Sequence, residues 1–309
     1  MAGSSASIQD EANAAFDGTA GIHSNLRCFL ERVTPVVKAH RVPVAPYLPP
    51  SNDYFGKIAH NNVFKYFYLG DLWNLFYQWS ACGVGTSVCI APGETIEQYF
   101  VPYLSSIELY TYKADVPASQ SMMYDRGFNE YSHHCMEDWT HGHQTPSHMS
   151  KVGVKSKEEL FFKYFEPDSP YERVPFVDKL YELYHTCPGL TALSSAELSP
   201  LSWMSVLWYP TGHVPAKNRK DLNTCFLTYY SLSPSKDNVS LDNVHASDHV
   251  ALNPFGLATY KLDAKVWASP NSGDEEHIAS LFDAARSWIK KHGIHHNDFN
   301  HFSSRYCFT

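Results

Sequence analysis

The sequence predicts an α+β protein: a mainly antiparallel sheet with helices packed on one side, carrying a long disordered insertion. Three observations predict it. Apolar residues recur at helical spacing near residues 24–34, 71–82, 175–187 and 274–292. Alternating or continuous apolar runs of strand character lie between them, joined by short β-type connections. From about residue 117 to 156 periodicity vanishes in a mixture of Ser, Gly, Met, His and Asp, which reads as a flexible, His-rich surface insertion.

Taken in order, residues 1–21 are small, polar and weakly acidic, the composition of a disordered tail before a single domain over 22–309. The tail lacks an apolar core and carries Asp10, Glu11 and Asp17, so it is neither a signal peptide nor a good transit peptide. Ser24 caps a short helix striped by Leu26, Phe29, Leu30 and Val33. Residues 42–50 hold four prolines and are expected to run extended over the body, unpaired. Asp71 is a candidate cap for a helix striped by Leu72, Leu75, Phe76 and Trp79, with Gly83 and Gly85 stopping it.

Strands follow at 87–91 and 97–113, where Ile107, Leu109 and Thr111 alternate with Glu108, Tyr110 and Tyr112 as in a half-buried strand. Order returns after the insertion with LFFKYF at 160–165, and Pro175 opens a helix. The nearly continuous apolar run WMSVLWY at 203–209 predicts a central strand covered on both faces, with 225–232 as its partner. Residues 256–262 and 265–269 suggest a hairpin around Asp263 and Ala264. The last helix has Asp274, Glu275 and Glu276 at its start, an apolar stripe from Ile278 to Ile289, and Lys290, Lys291 and His292 before Gly293.

Composition narrows the function classes. Aromatics reach 15%, a large apolar payload for a core or a pocket wall. The formal net charge is -8, from 24 basic and 32 acidic side chains, which argues against nucleic acid as the main partner. Seven scattered cysteines without a C-x-x-C pair argue against a disulfide framework or a zinc finger; most are expected as reduced, buried small hydrophobes. No apolar run approaches the roughly 20 residues of a membrane span.

Several segments carry a resemblance: YLGDLW (68–73), QYFVPYLSSIELY (98–110), PLSWMSVLWYP (200–210), DLNTCFLTYYSL (221–232), FGLATYK (255–261) and HHNDFNHF (295–302), with LRCFLERVTPVV (26–37) and SPYERVPFVDKL (169–180). Together they resemble the plant family catalogued as domain of unknown function 789, over nearly everything from 25 to 305 except the insertion. The resemblance implies a plant source and a compact intracellular domain. It implies no reaction, so no catalytic residue is carried over. Relatives tend to be acidic and Ser-rich where this chain has YSHHCMEDWTHGHQTPSH, so no role passes to the insertion by analogy.

Four constellations are candidates. In the insertion, His133, His141 and His143 with His134, Cys135 and His148 have the ligand chemistry for zinc or copper, but no zinc-motif spacing; a solvated loop that picks up metal adventitiously is the favoured reading. The terminal HHNDFNHF sets His295, His296, Asp298 and His301 close together, as an oriented base or, preferably, as a segment docked by Phe299 and Phe302. Loop 210–222 (PTGHVPAKNRKDL) carries His213, Lys217, Arg219 and Lys220, an anion grip or partner-docking loop if it is more than a solvated turn. Trp208 and Tyr209, with Trp73, Trp79 and Trp203, line either a ligand pocket or, at this spacing, the core.

The common nucleotide-binding, serine-hydrolase, zincin and kinase signatures are absent from the sequence. The favoured reading is a non-catalytic protein- or ligand-binding, regulatory module, using loops 210–222 and 233–253. The alternative is an enzyme on a small aromatic or anionic substrate, with His213 as acid/base and Asp71 or Glu108 as carboxylate. The expected partner is a protein or a small molecule, no cofactor is expected, and the expected location is the cytoplasm, with KNRK a weak signal for the nucleus.

Overall fold

The computed structural model describes residues 24–43, 62–91, 93–112, 158–169, 172–211, 223–233, 239–241, 248–268 and 272–304. The proposed tail (1–21) and insertion (117–156) lie outside them. The first helix, α1 (Asn25–Arg32), begins where the Ser24 hydroxyl accepts the Arg27 amide, and it buries Leu26 and Phe29. Asn25 ties it down: its amide donates to the carbonyls of Cys89 and Val266, and its oxygen accepts the Cys89 amide. Next come β1 (Val36–Lys38), β2 (His40–Pro43) and β3 (Asn62–Tyr66). Residues 42–43, expected unpaired, instead close β2 against β3. Pro43 is tolerated there because β2 is an edge strand, where one missing amide breaks no inner ladder.

Helix α2 (Leu69–Cys82) starts after Tyr68 without a side-chain cap; Asp71 lies in its first turn, where a carboxylate meets the positive end of the helix dipole. Gly83, at φ 73°, ends it. A hairpin then joins β4 (Val84–Ala91) to β5 (Glu94–Tyr112), a 19-residue strand that is the spine of the sheet. β6 (Glu158–Phe165) leads to α3 (Phe176–Thr186), which Pro175 opens as expected. β7 (Trp203–Thr211) and β8 (Cys225–Ser231) form the predicted antiparallel pair.

Two short strands, β9 (Val239–Leu241) and β10 (His249–Ala251), pair back to β3 and β1. After β11 (Gly256–Tyr260) the expected hairpin is replaced by one helical turn, α4 (Ala264–Trp267). Asp263 caps that turn by accepting the Lys265 amide, and Trp267 enters the core, fully buried. Helix α5 (Asp274–His292) has the predicted acidic start and basic end and stops at left-handed Gly293; α6 (Asn297–Ser303) follows.

The main sheet runs β11-β8-β7-β5-β4, all antiparallel, and β6 shares the β4 edge of β5 further along. The α+β class and the mainly antiparallel sheet stand as predicted. The helices, expected on one side, cover both. Phe100, Leu104, Met204, Val206, Trp208 and Phe226 join one core with α1, α2, α3 and α4. Trp203, Leu207, Leu227, Tyr229 and Ala258 join the other with α5 and α6. The alternation along β7 shows why: odd positions face one layer and even positions the other. Glu108 is accordingly buried on a strand expected to be half-exposed.

Close packing of α5 depends on Gly256, where an added Cβ would stand 2.8 Å from the Cβ of Ala285. Among the described cysteines all are free; Cys187 and Cys225 are buried as expected, whereas Cys82 and Cys89 are exposed. No helix among the described residues is long and apolar enough to cross a membrane.

Candidate functional site

Of the residues singled out in the sequence, the structure describes Trp208, Tyr209, Asp71 and Glu108 and holds them in separate surroundings. His213, Lys217, Arg219 and Lys220 lie outside the described residues, as do His133, His141 and His143. Among the described residues no group of three or more His, Cys, Asp or Glu could hold a metal ion. Trp208 is fully buried against Phe76 and Trp79, and its indole donates to the Thr228 hydroxyl at 2.9 Å. Tyr209 points to the opposite face, its ring 5.4 Å from that of Tyr103. These two neighbours therefore cannot line one pocket.

Asp71 pairs at the surface with His40, 3.7 Å from Nε2, beside the rings of Tyr66 and Tyr68. Sequence reading had no means to find His40, because its partner comes from another element. Glu108 is tied three ways: to Lys163 at 2.8 Å, to the Trp203 indole at 3.1 Å and to the Tyr110 hydroxyl at 3.3 Å. Burial first and the Glu108 charge second hold the Tyr110 phenol well above its ordinary range.

The stems of loop 210–222 are firmly held. The buried Gln98 amide donates to the Thr211 carbonyl at 2.9 Å, and the Thr224 hydroxyl donates to the Lys261 carbonyl at 2.9 Å. This loop leaves the Trp208/Phe226 end of the β7–β8 pair, whereas segment 233–253 leaves the Trp203/Ser231 end. The two loops, grouped in the sequence, thus depart from opposite ends of the sheet.

The densest polar constellation is buried under α6. In β5 the register slips between Leu104 and Ser106, a bulge that sends both Ser105 and Ser106 toward the α6 layer. Ser106 Oγ lies 2.6 Å from Ser205 Oγ, and both hydroxyls meet His296 Nε2, at 2.9 and 3.0 Å. The Ser105 hydroxyl donates to Asp298 Oδ2. Arg173 grips the same carboxylate with both arms, Nη1 to Oδ2 at 2.7 Å and Nη2 to Oδ1 at 2.6 Å. Nearby Glu166 accepts the Tyr164 hydroxyl and the Asp168 amide.

A serine, a histidine and an aspartate in contact invite a hydrolase reading, and the geometry argues against it. His296 Nδ1 accepts the Phe299 amide at 3.2 Å, which caps α6 and leaves the ring proton on Nε2. Nε2 therefore donates to the serines, whereas activating one would need a bare nitrogen there. Asp298 is turned to Arg173 and does not orient the imidazole. Burial pushes the His296 pKa down to about 4, against a smaller upward pull from Asp298. The arrangement docks the terminal segment, as its phenylalanine spacing suggested.

Arg173 and the serine bulge escaped sequence reading. The one available signal was the polar Ser105–Ser106 doublet inside an apolar strand.

No curated protein and no solved structure matches the chain. The family model described as Protein of unknown function (DUF789) matches residues 24–302. That match runs through every strand of the main sheet and through both partners of the buried Arg173–Asp298 pair, so the chain belongs to the DUF789 family.

Proposed function

We propose that the chain is a non-catalytic, regulatory binding module of a plant cell that captures a protein or a small anionic ligand through loop 210–222, using His213, Lys217, Arg219 and Lys220. One observation carries this reading. Groups suited to acid–base chemistry are consumed internally: His296 as a donor, Asp298 by Arg173, and Glu108 by Lys163 and Trp203. A base needs a free lone pair within reach of substrate; both ring nitrogens of His296 are engaged, and the two carboxylates are buried. Loop 210–222, by contrast, springs from stems pinned by Gln98 and Thr224, the footing a recognition loop requires. The enzyme alternative is less favoured: of the two carboxylates it would use, Asp71 pairs with His40 and Glu108 is buried against Lys163 and Trp203. The cytoplasm is the proposed site of action.

The test is affinity capture from plant extract, read by native mass spectrometry. Replacing Lys217, Arg219 and Lys220 with Ser is expected to abolish recovery of a stoichiometric partner or small adduct while the melting temperature stays unchanged. Equal recovery by the triple variant would overturn the assignment to this loop.

A further inference from the structure

The corner occupied by Asp298 is built without help from α6. Arg173 comes from the connection between β6 and α3, and its Nε and Nη2 both donate to the Asp168 carbonyl, at 2.9 and 2.8 Å. The guanidinium is thus oriented by its own connection, and of its three remaining N–H donors one on each Nη forms the fork that suits a carboxylate. Ser105 adds a third donor from the β5 bulge. A fourth group is unspent: the Tyr229 hydroxyl on β8 is fully buried and has no hydrogen-bond partner among the described residues. Its ring lies 5.7 Å from that of His296 and 6.3 Å from that of Phe299, the residues flanking Asp298.

A buried ion pair is a poor way merely to fasten a helix. Both charges lose their water, and apolar residues of similar volume often hold as well or better. Helix α6 already has such residues, since Phe299 and Phe302 are buried against Phe282, Tyr229 and Tyr260. The pair adds specificity for a carboxylate. It also adds a contact that fails abruptly when one partner is removed.

We propose that Arg173 and Ser105, with the unspent Tyr229 hydroxyl close by, form a carboxylate-binding socket that Asp298 fills in cis, making α6 a latch whose release opens the socket to a free carboxylate. This proposal does not depend on loop 210–222.

The full-length chain tests it. Asp298→Ala empties the socket and leaves Phe299 and Phe302 in place. Hydrogen exchange is followed in 294–304 and in β7 and β8, with acetate as the probe and chloride at equal ionic strength as the control. The expected result is exchange in 294–304 faster by roughly a hundredfold, with far smaller change in β7 and β8. Acetate should restore protection saturably, and Asp298→Ala combined with Arg173→Gln should not respond. Equal loss of protection in α6, β7 and β8 would show one cooperative unit and overturn the latch. An acetate response no larger than that to chloride would overturn the socket. If the alanine variant does not fold, Asp298→Asn, which keeps the shape and loses the charge, takes its place; exchange unchanged from wild type would then refute the proposal.

Discussion

Replacing His296 with Asn should remove a pH dependence that this one residue imposes on the fold. The imidazole is 1% exposed, and desolvation lowers its pKa to about 4, with Asp298 pulling up and Arg173 pushing down as smaller influences. In the unfolded chain the same ring titrates near its ordinary value of 6.5. Between these values the unfolded state binds a proton that the native state refuses. Stability therefore rises with pH across the window from about 4 to about 6.5, is fully present above it, and is lost as pH falls through it. One proton corresponds to ~1.4 kcal/mol per pH unit, so the whole window amounts to roughly 3 kcal/mol. Asn retains a good cap for α6 and an amide to meet Ser106 and Ser205. Urea unfolding of both proteins, repeated from about pH 4.5 to about pH 7.5, gives the test. Arg173 and Asp298 are common to both, so the difference curve isolates the imidazole. A slope near ~1.4 kcal/mol per pH unit below about pH 6.5 is expected. Parallel curves would refute the reasoning.

Three further outcomes follow from packing. Trp208→Ala should cost about 3–5 kcal/mol in urea unfolding, whereas a loss under about 1 kcal/mol would return Trp208 to the role of pocket wall. Gly256→Ala should cost about 1–3 kcal/mol, because its Cβ meets Ala285 at 2.8 Å; Ala285→Gly in the same chain should recover part of the loss, and no recovery would exonerate that contact. Asn25→Ala leaves the Cys89 amide and the carbonyls of Cys89 and Val266 without their partner, so thermal unfolding should show a loss of about 2–3 kcal/mol.

What could be read from the sequence was what local chemistry encodes. The α5 stripe with its acidic start and basic end, the Ser24 cap and the apolar run of β7 each act within a few residues, and each appears as expected. The second helical layer was missed because its side of the sheet carries Ser105, Ser106, Glu108 and Ser205. Polar residues on alternate positions imitate a solvated face when their partners are invisible. Those partners come from far away: Arg173 is 125 residues from Asp298, and Trp203 is 95 from Glu108. Helix α4 was missed because four residues are too few for a helical period; the Asp263 cap was its only signal. At Asp71 the sequence showed only a helix start, because no spacing rule connects it to its partner His40.

The contacts that join residues 24–38 to residues 230–274 bear on how the chain is made. Ser24 donates to Asp274, 250 residues later, and β1 (Val36–Lys38) has no strand partner other than β10 (His249–Ala251) among the described residues. The Tyr230 hydroxyl holds the Val33 carbonyl, and the Leu252 amide holds that of Pro35. A ribosome adding about 5–20 residues per second would release β10 roughly 10–40 s after β1. Until β8 and α4 have emerged, Phe29, fully buried in the finished protein, lacks the Phe226 and Trp267 rings that cover it. Helix α1 and β1 thus emerge long before the segments that complete their packing, and their apolar face stays partly open to a chaperone in the meantime.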